Sequence, residues 1–326
     1  MKPFVYERAT GEDDALVRAG GARFLAGGTC LVDLMKLGVE RPDRLVDLGA
    51  LAGVRGRIED RGNLLEIGAL ARNSDVAAHP VVRAAFPVLA EALLSGASPQ
   101  LRNMATVGGN LLQRTRCSYF RDLASPCNKR VPGAGCAAWD GYNRGHAVLG
   151  GSDRCIAVNP SDMNVALVAL DAVVHVRGPA GARQILAKEF HLAPVLRPEV
   201  ETMLQPGELV THVTLPRTPM AARSRYFKVR DRGSYEFALA SAAVALDVRE
   251  GTIRAARVVL GGVATKPWRC EGTEAALVGN AASEAVFERA ASLAALGAVP
   301  RKYNEFKGEL AARVVARALA LAGGPA

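Results

Sequence analysis

Apolar runs of strand length alternate with helical periods along most of this chain, and one long stretch follows neither period. Val5 begins a short strand. Glu12 to Arg18 reads as a helix opening on acidic residues, which suit a helix N-terminus. Arg23-Phe24-Leu25 is an apolar strand, Ala26-Gly27-Gly28-Thr29 a glycine turn, and the residues from Leu31 to Lys36 form a helix with Leu31, Leu34 and Met35 on one face. Leu45–Leu48 completes a small α/β unit. Between Gly56 and Leu70 two alternating runs flank Arg61-Gly62-Asn63, a hairpin signal. Asn73 or Ser74 is expected to cap a short helix before His79-Pro80, and Val82 to Ser95 to form one amphipathic helix. Farther on, Asp162–Leu170 reads as helix, and Val173–Val176, Gln184–Leu186 and Glu208–Pro216 as strands.

Proline and small polar residues at Arg217–Ser224 mark a boundary. Beyond it Tyr226–Arg230, Leu239–Val248 and Ile253–Val263 are strands, the last two joined at Glu250-Gly251. Helices fill the chain from Glu274 onward, and Glu309–Leu321 carries an apolar face suited to packing on a sheet. Helices layered on an antiparallel sheet make an α+β architecture.

The stretch from Ala105 to Met163 departs from all of this. It opens with the glycine turn Ala105-Thr106-Val107-Gly108-Gly109-Asn110 and closes with Asn159-Pro160-Ser161-Asp162-Met163. Between them stand Cys117, Cys127, Cys136 and Cys155, four of the six cysteines, spaced Cys-x9-Cys-x8-Cys-x18-Cys. Irregular loops beyond roughly 12–15 residues are uncommon in compact domains, so something must order this one. Buried thiols or a pair of disulfides are one reading. Tetrahedral sulfur ligation of zinc or of an iron–sulfur cluster is the other. Structural zinc favours tight knuckles of about two to four intervening residues, which this stretch lacks, whereas cluster ligands can lie farther apart. Arg114, Arg116, Arg121, Lys129, Arg130, Arg144 and Arg154 would offset the negative charge of such a centre and raise its potential.

Composition narrows the classes. The 326 residues suffice for two or three domains. With 49% hydrophobic and 22% charged residues the chain is ordinary globular protein. A net charge of +9 raises nucleic acid as a partner, but the basic residues are scattered and no nucleic-acid motif is present. A basic surface facing an acidic protein partner fits equally. The longest apolar run, Val165–Val176, is broken by Asp171 and His175 and is too short for a membrane span. No signal-type segment opens the sequence, so a soluble protein is expected. The glycine turn before Leu31 offers backbone N–H groups and a helix start to a pyrophosphate. No Gly-x-Gly-x-x-Gly fingerprint is present, which disfavours NAD. His146, His175, His191 and His212 are read as isolated, and no catalytic residue is expected.

Ala26-Gly27-Gly28-Thr29, Thr106-Val107-Gly108-Gly109-Asn110 and Ser161-Asp162, in this order, resemble the FAD-binding medium subunit of the xanthine dehydrogenase and carbon monoxide dehydrogenase family of molybdenum hydroxylases. The resemblance covers essentially the whole chain. It implies a two-subdomain FAD fold of the vanillyl-alcohol-oxidase type over residues 1–218, divided near residue 55, with an iron–sulfur insertion at 111–158. An α+β domain of the type that follows FAD in these subunits would occupy 222–326. Family members usually join the second motif to Ser-Asp by a short loop; here 50 residues intervene. That insert resembles those of periplasmic aldehyde oxidoreductase, the nearer likeness, and of 4-hydroxybenzoyl-CoA reductase, whose FAD subunits hold an extra 4Fe–4S cluster. By that likeness Cys117, Cys127, Cys136 and Cys155 would be the cluster ligands.

Carried over by position, Leu25, Ala26, Gly27, Gly28, Thr29, Cys30 and Leu31 would wrap the FAD pyrophosphate. Thr106 and Asn110 would hydrogen-bond the cofactor, with Gly108 and Gly109 leaving room for it. Asp162 would lie in the adenosine half, and Val210 and Lys228 near the flavin ring. Cys30 stands where relatives often carry Asp or another polar residue, and the aromatic residue expected upstream of the second motif is replaced by Gly96 and Ala97. The resemblance further implies a heterotrimer: a molybdenum-cofactor large subunit, a 2Fe–2S small subunit, and this chain passing electrons through FAD to an external acceptor. The compartment would be cytoplasmic by this sequence alone, or periplasmic by co-export with a signal-bearing partner. An aromatic acyl-CoA reductase subunit, an autonomous FAD oxidase and a zinc-stabilised interaction module are the alternatives.

Overall fold

The structure is a computed structural model that describes residues 1–324. Three sheets organise it. Val5–Arg8 and Arg23–Leu25 lie parallel on either side of Arg44–Asp47, with Tyr6 and Arg23 both opposite Leu45. Parallel pairing needs crossovers, and the helices Glu12–Arg18 and Leu31–Lys36 supply them. This small unit closes over its own core of Ala9, Ala15, Val46, Leu48 and Leu51.

An antiparallel five-stranded sheet follows, in the order Ile58–Asp60, Leu64–Gly68, Leu209–Pro216, Val173–Gly178, Gly181–Leu186. Leu65, Ile67, Val174, Val176, Val213 and Leu215 point from it into the largest core. The helices at 73–95 and Asp162–Ala169 cover that face. Asp162–Ala169 is buried on every side because it lies between this sheet and the third. The third sheet runs Trp268–Arg269, Thr252–Gly261, Ala240–Arg249, Ser224–Val229, antiparallel throughout. The helix Phe306–Gly323 packs Val314, Val315, Ala318 and Leu319 onto it. No helix among the described residues is long and apolar enough to cross a membrane.

Four local readings change. Val82–Ser95 is two helices, Pro80–Ala85 and Pro87–Ser95, because Pro87 forbids a continuous ladder and Phe86 leaves the helical region. The second is buried through Val88, Leu89, Ala90, Ala92 and Leu93 and is not amphipathic. Asn73 is the first helical residue and caps nothing; Arg72 precedes it in extended backbone. The glycine turn at Ala105–Asn110 is a short helix, Val107–Leu111, capped by the Thr106 hydroxyl, which accepts from Gly109 N at 3.2 Å. Ahead of it Ser98 caps a further helix, Pro99–Met104.

The cysteine-bearing stretch keeps one helical turn, Ser118–Arg121, and is otherwise irregular. Much of its order comes from hydrogen bonds. Asn128 N donates to Gly135 O at 2.7 Å and Gly135 N to Asn128 Oδ1 at 2.8 Å. The Arg130 guanidinium donates to the carbonyls of Tyr119 and Phe120, both at 2.8 Å. Its C-terminal end runs beside the third sheet, where Val148 N donates to Val263 O.

Candidate cofactor groove and cysteine pocket

Two glycine motifs nearly 80 residues apart in sequence meet at one groove of about 1460 Å³. Leu25, Ala26, Gly27, Gly28, Thr29, Cys30 and Leu31 form one wall, Thr106, Gly108 and Gly109 another, and the segment 191–210, ending at Val210, the third. Gly28 holds φ +71, a left-handed turn that glycine adopts without strain, and so turns the chain from strand into helix. No group of the described chain accepts from the backbone N–H groups of Ala26 to Leu31. That row of unused donors at a helix start suits an anionic diphosphate. In the second motif the N–H groups are already engaged: Val107 donates to Ala71 O and Gly108 to Ala69 O at 2.7 Å. It braces the groove, and the Thr106 hydroxyl proton is left to offer.

Three expected contacts lie elsewhere. Asn110, Asp162 and Lys228 are outside the groove lining. Asn110 Oδ1 accepts from Ser161 Oγ at 2.8 Å and from Gln113 Nε2, so it ties the second motif to Ser161. Asp162 accepts from Lys228 Nζ at 2.8 Å and from Tyr226 OH at 2.5 Å, all three buried. The Tyr226 pKa is pushed well up by burial and by Asp162 beside it.

The groove also exposes residues that sequence reasoning did not assign to it. Arg114 donates to Glu201 at 2.6 Å and Glu40 at 2.5 Å, and Lys129 Nζ lies 2.9 Å from Glu201. All four line the groove. Burial raises the Glu201 pKa, but Lys129 and Arg114 outweigh it and hold the carboxyl below its usual range. His191 is wholly enclosed on the same wall, its Nε2 3.0 Å from Leu111 O and its Nδ1 without a partner; desolvation pushes its pKa down to about 4. Pairings across 87 residues leave no mark in a local pattern; only the basic character of 114–130 hinted at them.

Cys117, Cys127, Cys136 and Cys155 line a single small pocket of about 10 Å³, and all are free thiols. Cys127 faces Cys136 across an isolated antiparallel bridge. Desolvation pushes the Cys117 thiol up to about 12 and raises Cys136 and Cys155, with the neighbouring thiols adding to each shift. Backbone N–H groups aim at the sulfurs, as from Ala157 to Cys155 at 3.4 Å. Among the described residues, no three His, Cys, Asp or Glu side chains are placed to hold a single metal ion. Four convergent soft donors with N–H support suit a larger sulfur-ligated group. Metal–sulfur bonds of about 2.3 Å lie well inside van der Waals contact, so space open to water understates the room for one. Lys129 and Ala157 line both groove and pocket and form their shared wall.

The cations expected around this centre are mostly engaged. Arg116 and Arg121 pair with Asp33 at 3.1 and 2.7 Å, and Arg144 with Asp231 at 2.8 Å. Arg130 and Arg154 bond carbonyls. The histidines are not isolated either. His175 stacks on His212 at 4.0 Å between centroids, and His146 Nε2 lies 3.1 Å from Cys117 Sγ.

Residues 6–218 match the family model described as the FAD binding domain in molybdopterin dehydrogenase. The chain belongs to that family. Residues 225–322 match the CO dehydrogenase flavoprotein C-terminal domain. The aldehyde oxidoreductase FAD-binding subunit PaoB of Escherichia coli is 49% identical over 324 residues, 98% of either chain. The carbon monoxide dehydrogenase medium chain of Hydrogenophaga pseudoflava is 28% identical, over 96% of this chain and 93% of that one. Among solved structures, a reconstituted CO dehydrogenase from Oligotropha carboxidovorans superposes with TM-score 0.77 at 26% identity, covering 100% of both chains. The α+β fold with a molybdopterin-dehydrogenase FAD domain and a C-terminal flavoprotein domain is therefore established, as is an oxidoreductase flavoprotein subunit.

Proposed function

We propose that this chain is the electron-transfer subunit of a molybdenum-dependent aldehyde oxidoreductase, carrying FAD in the groove and a 4Fe–4S cluster on Cys117, Cys127, Cys136 and Cys155. A molybdenum-cofactor large subunit and a 2Fe–2S small subunit are its partners, and an external acceptor takes the electrons. The observation that carries the reading is the row of free N–H donors from Ala26 to Leu31, in a groove that shares Lys129 and Ala157 with a four-thiol pocket. The likeness to PaoB supports an aldehyde as the substrate class of the complex.

The redox chemistry belongs to the bound flavin; the protein supplies binding and orientation. The donors from Ala26 to Leu31 would hold the pyrophosphate, and Thr106 a polar edge. Arg114, pinned between Glu40 and Glu201, holds this part of the groove lining in one geometry.

Anaerobic purification, alone and with the neighbouring subunits co-expressed, tests this. Flavin bands with roughly four irons and matching sulfide per chain are expected. Zinc without flavin would establish an interaction module instead, and substrate turnover by the isolated chain an autonomous oxidase.

A further inference from the structure

His146 is the one side chain among the described residues that hydrogen-bonds a sulfur of the cysteine pocket. Its Nε2 stands 3.1 Å from Cys117 Sγ, with the side chain buried. Its other nitrogen, Nδ1, has no hydrogen-bond partner among the described residues. A neutral imidazole carries one ring proton, and on Nε2 that proton meets the one partner the ring has.

The ring is set in place from outside the cysteine stretch. Asn304 Nδ2 donates to His146 O at 3.3 Å and also reaches Ala147 O at 3.5 Å. Tyr303 N donates to Asn143 Oδ1 at 3.1 Å, and His146 N closes a turn onto Asn143 O at 2.9 Å. Ala147 N donates to Ile156 O at 2.9 Å, beside Cys155. Residues 303–304, at the entry to the long C-terminal helix, thus fix where the imidazole sits. The other donors facing the pocket sulfurs are backbone N–H groups, as from Ala157 to Cys155.

We infer that His146 is a positioning residue for the pocket: its Nε2–H donates to the Cys117 sulfur and makes a cluster held there easier to reduce. The inference rests on the cluster assignment above. Reduction adds negative charge to the cluster and its thiolates, and a hydrogen bond to sulfur stabilises that charge more in the reduced state.

The test uses the full chain co-expressed with its partners, purified without air, as wild type, His146→Leu and His146→Gln. Iron, sulfide and flavin are counted first, and the cluster is then titrated by EPR. Full cluster content is expected in wild type and His146→Gln, whose amide N–H replaces the donor. His146→Leu should be harder to reduce, by roughly tenfold in the reduced-to-oxidised ratio at fixed potential, about 59 mV for one electron. Loss of the cluster from His146→Leu alone, with His146→Gln unchanged, also supports a donor role. Equal potentials and spectra in all three overturn the inference while leaving the cluster standing. Cluster loss in both variants overturns it in favour of a ligand or packing role. Wild type without iron and sulfide overturns the cluster assignment itself.

Discussion

Gly27 and Met104 stand backbone to backbone: a β-carbon on Gly27 would fall 2.0 Å from the Met104 carbonyl oxygen. This contact joins the first glycine motif, which lines the groove, to the chain just before the second. Its partner atom is main chain and cannot swing away. Gly27→Ala should therefore cost about 2–3 kcal/mol of stability, the upper end of overpacking, and displace the free N–H row. Purified Gly27→Ala protein is expected to contain little flavin and to melt lower than wild type. Normal flavin content would show that the backbone yields more easily than the geometry allows.

Asp162 and Lys228 form the second organising contact. Their side chains, 9% and 3% exposed, pair at 2.8 Å between the helix Asp162–Ala169 and the strand Ser224–Val229. Lys228 Nζ also donates to Ser95 O at 3.0 Å. Removing one partner leaves a buried charge, so Lys228→Met should lose about 3–5 kcal/mol in urea denaturation. The double variant with Asp162→Asn should recover part of that loss. A double variant no better than the single would mean that the packing of Lys228, and not its charge, matters.

What was legible in the sequence was what local pattern encodes. The strand, Gly27-Gly28 turn and helix at 23–36 followed from apolar spacing and glycine placement. The long strands of the third sheet followed from their apolar runs. Crowding alone pointed to Cys117, Cys127, Cys136 and Cys155 as one group, and they share one pocket. Long-range choices were not legible. Whether Asp162 faces a ligand or Lys228 depends on how two sheets pack around one buried helix. Arg114 finds Glu201 only once the 191–210 segment folds back over the cysteine stretch. At Phe86-Pro87 the apolar period runs on through 82–95 while the proline, lacking an N–H, ends one helix and starts the next.

The Lys129–Glu201–Arg114–Glu40 chain holds the cysteine stretch, the 191–210 segment and the small sheet unit together. Glu201→Gln removes one charge from between two cations. Glu201 is partly exposed, so the loss should lie near 1–2 kcal/mol, between surface and buried pairs. The folded-state pKa of Glu201 is lowered, so its stabilising charge is fully present above the ordinary carboxylate range. It is lost as pH falls below about 4. Thermal melts of wild type and variant should differ at pH 7 and converge in acid. A constant difference down to pH 3 would remove the electrostatic account.

Apart from Cys30 in the groove wall, the cysteines separate into two kinds by their surroundings. Cys136 faces three other sulfurs across the pocket, whereas Cys270 is buried alone, its Sγ near Trp268 O and Ala294 O. Burial pushes the Cys270 thiol up to about 12, as for Cys117, so acidity does not distinguish them. Cys136→Ser is expected to lose iron and sulfide while keeping flavin. Cys270→Ala should keep both and lose only about 1 kcal/mol of packing. Equal iron in the two variants would detach the cofactor from the pocket.

Lys307 is wholly buried, and among the described residues its ammonium has one hydrogen bond, to Gly262 O at 2.7 Å. Desolvation, aided by Arg144, brings its pKa down to about 7. Below pH 7 both folded and unfolded chains carry this proton, and the folded state bears the full cost of a charge without a counter-ion. Between pH 7 and about 10 the folded chain has released the proton while the unfolded chain still holds it. Stability therefore rises with pH across that window as the cost is relieved. Lys307→Met removes the charge outright and leaves the Gly262 carbonyl unpaired, a loss of about 1 kcal/mol. At pH 6 the variant should be more stable than wild type by roughly 1–3 kcal/mol, and by pH 10 the advantage should vanish or reverse. Urea denaturation of both proteins at the two pH values decides it: a variant less stable than wild type at pH 6 would show that the ammonium is solvated or paired in the folded protein.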